Sequence, residues 1–403
     1  LAKPSLFAKE QHSRKWPAIV ARIMAVFTRY VTAELLKIFG AALTVLTLLL
    51  ALGIGAREGI SRGLPPILIV RMLPYLMPEI LGITIPIAVL LSVSQVLGRM
   101  SGANEIVALR ALGLSPIHAV RPTIVFAFFV SLFTVWMYDV AATWGRPGAR
   151  RVVVESVEQI AYSMLRTRRS YTSPKFSIVV KDVQGKTLIN PLITIQTQPD
   201  MPAIVLSAEE AELTTDRQAG GLIITCRKPE ARIENSAVVR ASDIYSQLIP
   251  FDKPIEPLHR DWLATWQIPE AVKTLEKDAH QLEMLIRHAE ATDEQKRTWQ
   301  YQLEQLKIQC RKLKTEPYRR WANGFSSLCF VLLGCPLAMY CRSENFLAIF
   351  FLSFLPIVIV YYPLLMLANG LTSSGAIPPP GFWLANLGIA IPGSVLLYLY
   401  CET

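Results

Sequence analysis

Glu105 and Arg110 stand in SGANEIVALRALGLSP, residues 101–116, between two of the most apolar stretches of the chain. The stretch is too polar to cross a bilayer and too well punctuated for a slack loop. Ser101 or Asn104 can cap a helix start. Glu105 falls in the first turn, where the helix dipole favours an anion, and Arg110 near the end, where it favours a cation. Gly113 suits the left-handed position just past a helix, with Leu114 as the apolar residue after it, and Ser115-Pro116 reads as the cap and first residue of the next helix. The chemistry on offer is ionic and mechanical: a short helix near 103–112, stiffly joined at both ends, able to pass force from a partner into its neighbours.

Covalent chemistry finds less support. Gly185-Lys186-Thr187 has the tail of a phosphate-binding loop, but Val180 occupies the place of the first glycine, and the segment reads as a hairpin turn. No Gly-x-Ser-x-Gly elbow occurs. The histidines (12, 118, 259, 280, 288) form no pair with metal spacing, and the cysteines (226, 310, 329, 335, 341, 401) contain no Cys-x-x-Cys. Most of these cysteines lie in or beside apolar stretches and read as small apolar residues. The chain is expected to bind no cofactor and to catalyse nothing by itself.

The elements that position the short helix are membrane spans. Charged residues make up 18% of the chain against about 25% in a soluble domain, and the mean hydropathy is +0.35. Stretches long enough for a bilayer, about 20 apolar residues, are Val31–Ile54, Ile80–Leu97, Ile117–Tyr138, Trp321–Tyr340, Phe346–Leu367 and Phe382–Tyr400. Six spans in two sets of three follow. Pro74, Pro78 and Pro86 predict a kinked or broken outer half of the second. Glu34 and Lys37, on the inner side of the first, are expected to pair with each other or with lipid headgroups.

Charge sets the orientation. Residues 1–30 hold Lys3, Lys9, Arg14, Lys15, Arg22 and Arg29 against Glu10 alone. The positive-inside rule places this tail in the cytoplasm, and with it the 98–116 loop, the turn at Arg342 and the C-terminus. The net charge of +10 thus reads as topology and not as nucleic-acid binding. The region between the two sets carries 27 basic and 24 acidic residues from Asp139 to Arg320 and lies outside.

That region has two textures. From about Arg150 to Leu258 the pattern is β, with KFSIVVKDVQGKTLI alternating around Gly185 and two further strand runs joined through Gly220-Gly221. Short strands with turn signals predict a sandwich or jelly roll. From Pro269 to Glu316 the spacing is helical, with Thr292-Asp293-Glu294-Gln295 as a capping box, so a helical hairpin, or one long helix broken near 292, leads into the fourth span. The domain plan is a basic segment (1–30), spans one to three (31–138), a β jelly-roll-like domain (139–266), a helical segment (267–320) and spans four to six (321–403).

MLPYLMPEILGITIPIAVLLSVSQVLGRMSGANEIVALRALGLSP resembles the LptF/LptG permease family, the membrane subunits of the exporter that extracts lipopolysaccharide from the bacterial inner membrane. That family has a Pro-rich second span, a Gly-Arg-Met/Leu step, an acidic residue, an Ala-x-Gly and a Ser-Pro. KFSIVVKDVQGKTLI, IVLSAEEAEL and YRRWANGFSSLCFVLLGCPLAM are similar to the family's β domain and fourth span. The resemblance implies a transport subunit with no catalytic residues of its own. It implies a cytoplasmic ABC ATPase dimer that binds ATP and Mg, a second LptF/LptG-like permease chain, periplasmic LptC/LptA-like β-jelly-roll proteins, and lipopolysaccharide or a related lipid as cargo. Glu105, with Leu109, Arg110 and Gly113 around it, is then the contact to the ATPase groove, and spans one and five line an acyl-chain cavity.

Headgroup recognition has its own argument. Arg57 and Arg62 follow the first span and Arg71 precedes the second, at a depth where lipid phosphates offer oxygens that match a guanidinium fork. The competing reading is snorkelling at helix ends. Residues 269–316 are longer than the family's usual link between β domain and fourth span, so no family role carries over to them. Two rival classes share parts of this pattern. A membrane mechanotransmission protein would use the same helix without moving lipid. A lipid-headgroup enzyme would need a polar cluster at the membrane surface, which the sequence does not show.

Overall fold

Apolar spacing at helical and strand periods gives the chain a mostly helical architecture with two antiparallel sheets. The computed structural model describes residues 6–62, 66–111, 113, 115–172, 176–195, 204–216, 221–233, 236–240, 244–250, 262–288, 293–341 and 345–402. Six stretches are long and apolar enough to cross a membrane: Met24–Arg57, Pro66–Gly102, Ile117–Val153, Gln295–Tyr340, Leu347–Ser374 and Pro379–Glu402. Contacts divide the chain into two units. One holds the described parts of Leu1–Leu49, Pro78–Val140 and Ala264–Thr403, the other Leu50–Met77 and Ala141–Leu263.

The first unit is a helix bundle. It takes most of α1 (Leu6–Arg62), the part of α2 (Pro66–Gly102) after Met77, the short α3 (Glu105–Ala111) and α4 (Ile117–Val140). Two cores fill it. Val31, Leu35, Val89, Val93, Leu97, Val120 and Val331 share one, and Leu90, Phe330, Tyr361 and Ile389 share the other. Of the kink or break that its prolines predict for the second span, there is no break: α2 runs through Pro74, Pro78 and Pro86 as one helix. Thr84 and Pro86 are buried in it, and in an apolar setting an unbroken ladder is the cheapest way to satisfy the remaining backbone groups. The prolines mark a division all the same, because the unit boundary falls at Met77/Pro78.

Past the strands, α7 (Ile268–His288) packs on α8 (Asp293–Tyr340), with Lys314 Nζ 2.6 Å from Glu276 Oε1. This is the helical hairpin, but its second arm and the fourth span are one uninterrupted 48-residue helix. Thr292 of the capping box lies outside the described residues, as do Arg342 and Leu114. The fifth span is α9 (Phe346–Pro356), a π turn at Ile357–Tyr361, and α10 (Tyr362–Ser374). Pro356 and Pro363 flank the turn and cannot donate to the ladder, a common cause of such a widening. The sixth is α11 (Trp383–Glu402). Spans two and four are mostly buried by their neighbours, whereas spans one, five and six keep broad apolar faces open, including Val45, Leu48, Phe351, Ile359 and Met366.

The second unit opens with a correction. A β texture was expected from about Arg150, but a π turn at Ala141–Gly145 leads into α5 (Arg146–Glu155) and α6 (Val157–Arg168), and the first strand starts at Ser170. Leu68, Met72, Ala149 and Ile160 pack together there. Tyr75 lies against Trp144 at 4.8 Å, and Gly148 lets this aromatic in, since a Cβ at 148 would fall 2.1 Å from Tyr75 Cδ1.

Among the described residues eleven strands follow: β1 (Ser170–Thr172), β2 (Phe176–Val179), β3 (Asp182–Gln184), β4 (Thr187–Ile189), β5 (Leu192–Ile195), β6 (Ile204–Ser207), β7 (Glu210–Asp216), β8 (Gly221–Arg227), β9 (Glu230–Ile233), β10 (Ser236–Arg240) and β11 (Ile244–Pro250). They form two sheets, ordered β1-β2-β5-β6-β9-β10 and β11-β8-β7-β4-β3. Successive antiparallel pairs alternate between the sheets, so each sheet receives every other hairpin. Ile178, Ile193 and Leu206 of one sheet share a core with Leu188, Leu213 and Ile224 of the other and with Leu165 of α6. Gly185, at φ +60°, and Lys186 turn β3 into β4 as a two-residue hairpin, with Gln184 opposite Thr187.

Candidate functional site

The site begins where α2 ends. Asn104 has φ +59°, a left-handed conformation that asparagine tolerates, and its carbonyl accepts the Ala108 N–H at 2.9 Å to start α3. Asn104 thus stands at the cap position of α3, in left-handed and not extended backbone, while the Ser101 hydroxyl donates to the Met339 carbonyl at 2.7 Å. Gly113 takes φ +76°, the left-handed position expected of it. The Ser115 hydroxyl lies 3.5 Å from the Ile117 N–H, at the start of α4.

A positive φ at each end makes α3 a separate rod fixed to the ends of α2 and α4. One side is sunk into the bundle: Ile106 is buried in the core that holds Met100, Val120, Met339 and Leu397. Asn104, Val107, Ala108 and Ala111 are exposed at helical spacing on another side. Glu105 and Leu109 are half-buried between, and Glu105 has no ion-pair partner among the described residues. Arg110 faces elsewhere. Its Nη2 donates to the Tyr400 carbonyl at 2.9 Å and its guanidinium lies 4.7 Å from the centre of the Tyr400 ring.

At the same end of α2, Arg99 Nη1 donates to Glu34 at 3.0 Å and Nη2 to the Tyr30 hydroxyl at 3.4 Å. Glu34 also pairs with Lys37 at 3.7 Å, so the expected pairing within the first span is real but shared with the second. Arg57 and Arg71 are exposed, and Arg71 lies inside α2, which starts at Pro66, and not in a loop before the span. The Arg62 side chain lies outside the described residues.

A second constellation was not read from the sequence. Asp139 Oδ1, at the end of α4, accepts from the Thr265 amide at 3.0 Å, the Thr265 hydroxyl at 2.7 Å and Arg320 Nη1 at 2.7 Å. Arg320, 3% exposed, also donates through Nε to Glu316 at 3.1 Å, and Arg319 holds Glu316 with two bonds of 2.8 Å. The local half was legible: Glu316 precedes Arg319 and Arg320 by three and four residues, helical ion-pair spacing. Asp139 is 181 residues away and gave no signal beyond being a carboxylate at a span end.

Outside the spans, the described residues of the second unit form ion pairs at Arg227–Glu210, Lys228–Glu209 and Lys186–Glu158. Lys186 reaches Glu158 at 3.1 Å, and this bond holds the ammonium above its usual range. The Tyr162 hydroxyl donates to the Lys186 carbonyl at 2.6 Å and accepts the Leu213 N–H at 2.9 Å, and burial raises its phenol. None of these groups is placed as a nucleophile or base.

A short rod between two spans, six membrane-capable helices and a two-sheet insertion agree with the comparison of the whole sequence against known families. No curated protein matches the chain in sequence. Residues 29–399 match the family described as lipopolysaccharide export system permease LptF/LptG. Nearly the whole length is covered, and this multi-pass inner-membrane chain belongs to the LptF/LptG permease family.

Proposed function

We propose that the chain is a permease subunit that takes lipopolysaccharide, or a related envelope lipid, out of the inner membrane and passes it to a periplasmic β bridge. A separate cytoplasmic ABC ATPase dimer, which binds ATP and Mg, supplies the energy. Both termini and α3 face the cytoplasm, where the basic residues of 1–30 would hold them, and the two-sheet, jelly-roll-like domain faces the periplasm. A second LptF/LptG-like chain completes the lipid cavity, against the apolar faces that spans one and five leave open. Edge strands of the sheets offer pairing sites to LptC/LptA-like β proteins.

One observation carries this reading. The rod α3 is rooted in the bundle core by Ile106 while Asn104, Val107, Ala108 and Ala111 face outward beside the half-buried Glu105. Such a helix takes a push on one side and delivers it on the other. Arg57, Arg62 and Arg71 are assigned to the anionic headgroup. The test is co-purification of the full chain with its ATPase, together with lipopolysaccharide release in reconstituted membranes. Glu105→Arg is expected to lose the ATPase and the release together. Wild-type binding and export by that variant would sink the coupling role.

A further inference from the structure

Two helix ends in this bundle are capped by side chains from around the rod, Arg110 of α3 and Ser101 in the last turn of α2. The last carbonyls of a helix have no partner in their own ladder and carry the negative end of its dipole. Met339 lies in the last turn of α8, and its carbonyl accepts from Ser101, which is 4% exposed, across 238 residues of sequence. Tyr400 lies in the last turn of α11, and its carbonyl accepts from Arg110 across 290 residues. The Tyr400 ring lies under the same guanidinium, and its hydroxyl reaches to 3.5 Å from the Met339 carbonyl. Ile106, Met339 and Leu397 fill the core beneath these bonds.

We infer that Arg110 is a positioning residue that bolts α3 to the end of the sixth span, while Ser101, in the last turn of α2, fixes the root of the rod to the end of the fourth. The stroke then reaches those spans directly, and not only the second and third spans to which α3 is joined by the chain. This rests on the coupling role proposed above and divides it. Glu105 and the outward face of α3 receive the push, and Arg110, turned away from that face, delivers it. The cation suits the task. A guanidinium can hold a carbonyl and lie over a ring together, which an ammonium does less well.

The experiment uses the full chain with its partner permease and ATPase, in proteoliposomes containing lipopolysaccharide. In Arg110→Gln, lipid released per ATP hydrolysed is expected to fall about tenfold, the change that accompanies loss of one charge-assisted hydrogen bond, with partial recovery in Arg110→Lys. Spin labels at Val107→Cys and Leu399→Cys, with Cys341 and Cys401 changed to Ser, read the bolt without the transport assay. Their separation is expected to stay constant through the nucleotide cycle and to widen when Arg110→Gln is added. An unchanged ratio of lipid to ATP in Arg110→Gln overturns the proposal, and so does a label separation that changes with nucleotide in the otherwise native chain. Loss of the ATPase from a folded Arg110→Gln complex also overturns it, by making Arg110 an input contact. Glu105→Arg separates the two readings: if that variant still binds the ATPase and exports, the coupling role has failed, while the label distances test the bolt by themselves.

Discussion

Arg320 Nη1 lies 2.7 Å from Asp139 Oδ1, and this pair ties the end of the third span to the helix that becomes the fourth. Thr265 adds two bonds to the same oxygen, and Glu316 holds the other side of the guanidinium. A buried arginine is tolerable only while such partners remain. Asp139→Ala removes the anion that faces the buried guanidinium and the acceptor shared with Thr265, a change that costs about 3 kcal/mol, the low end for breaking a buried pair. Asp139→Asn keeps an acceptor for Thr265 and should cost less. Thermal unfolding in detergent is expected to rank wild type above Asn above Ala; equal melting of all three would show that the pair does not hold the spans together.

Close approach of the spans gives a second test. A Cβ at Gly393 would lie 2.7 Å from the Leu333 amide nitrogen and 2.8 Å from the Leu332 carbonyl carbon, so the sixth span meets the backbone of the fourth. Backbone cannot turn aside as a side chain can. Gly393→Ala must push the helices apart, at about 1–3 kcal/mol for overpacking. Gly40, also in a span, has nothing within 4 Å of such a Cβ. There alanine should be neutral or stabilising by up to about 1 kcal/mol through helix propensity. The two variants, melted side by side, are expected to shift in opposite directions or by clearly different amounts.

Tyr162 links α6 to the Gly185-Lys186 turn and to β7 through one oxygen. It donates to the Lys186 carbonyl and receives the Leu213 amide. Tyr162→Phe keeps the ring and removes both bonds. Leaving the Leu213 N–H unsatisfied should destabilise the two-sheet region by about 1–3 kcal/mol. Hydrogen exchange reads it locally: the Leu213 amide is expected to lose protection before amides in the middle of β8.

The spans, the rod and the helical hairpin were legible because each is written in local sequence. Apolar runs of bilayer length, the Gly113 terminator and the Gly185 turn need no distant partner. Three things could not be read this way. Proline propensity predicts a kink or a break in the second span, but the chain stays helical through all three prolines where Thr84 and Pro86 are buried. Val152 and Val153 are β-branched and fall where β texture was expected, but they are held in α5 beside Leu68 and Tyr75, an override by tertiary packing. The partners of Asp139 and Arg110 lie 181 and 290 residues away. A charge near a span end shows that a partner is needed without showing where it is. That is why Arg110 looked from the sequence like an outward contact, and in the fold is turned to Tyr400.

Cys226 gives the pH-dependent prediction. It lies in β8 with 1% exposure, and burial pushes its thiol up to about 11. The folded state therefore favours the protonated thiol more than the unfolded chain does. The sign follows from proton linkage: between the unfolded and folded values the native state binds more protons, so stability falls as pH rises. The contribution is fully present below about pH 8.5, the ordinary thiol value, and is lost as pH climbs through about 11. Tyr162, raised by burial, adds a slope of the same sign at high pH. Cys226→Ala removes the thiol's share alone and is expected to flatten the alkaline fall in melting temperature between pH 9 and 10.5. Because only the thiolate reacts, the native chain should also resist maleimide at Cys226 at pH 8, with labelling appearing when denaturant opens the sheets. Rapid labelling of Cys226 in the folded protein would mean that the core between the two sheets is open to solvent.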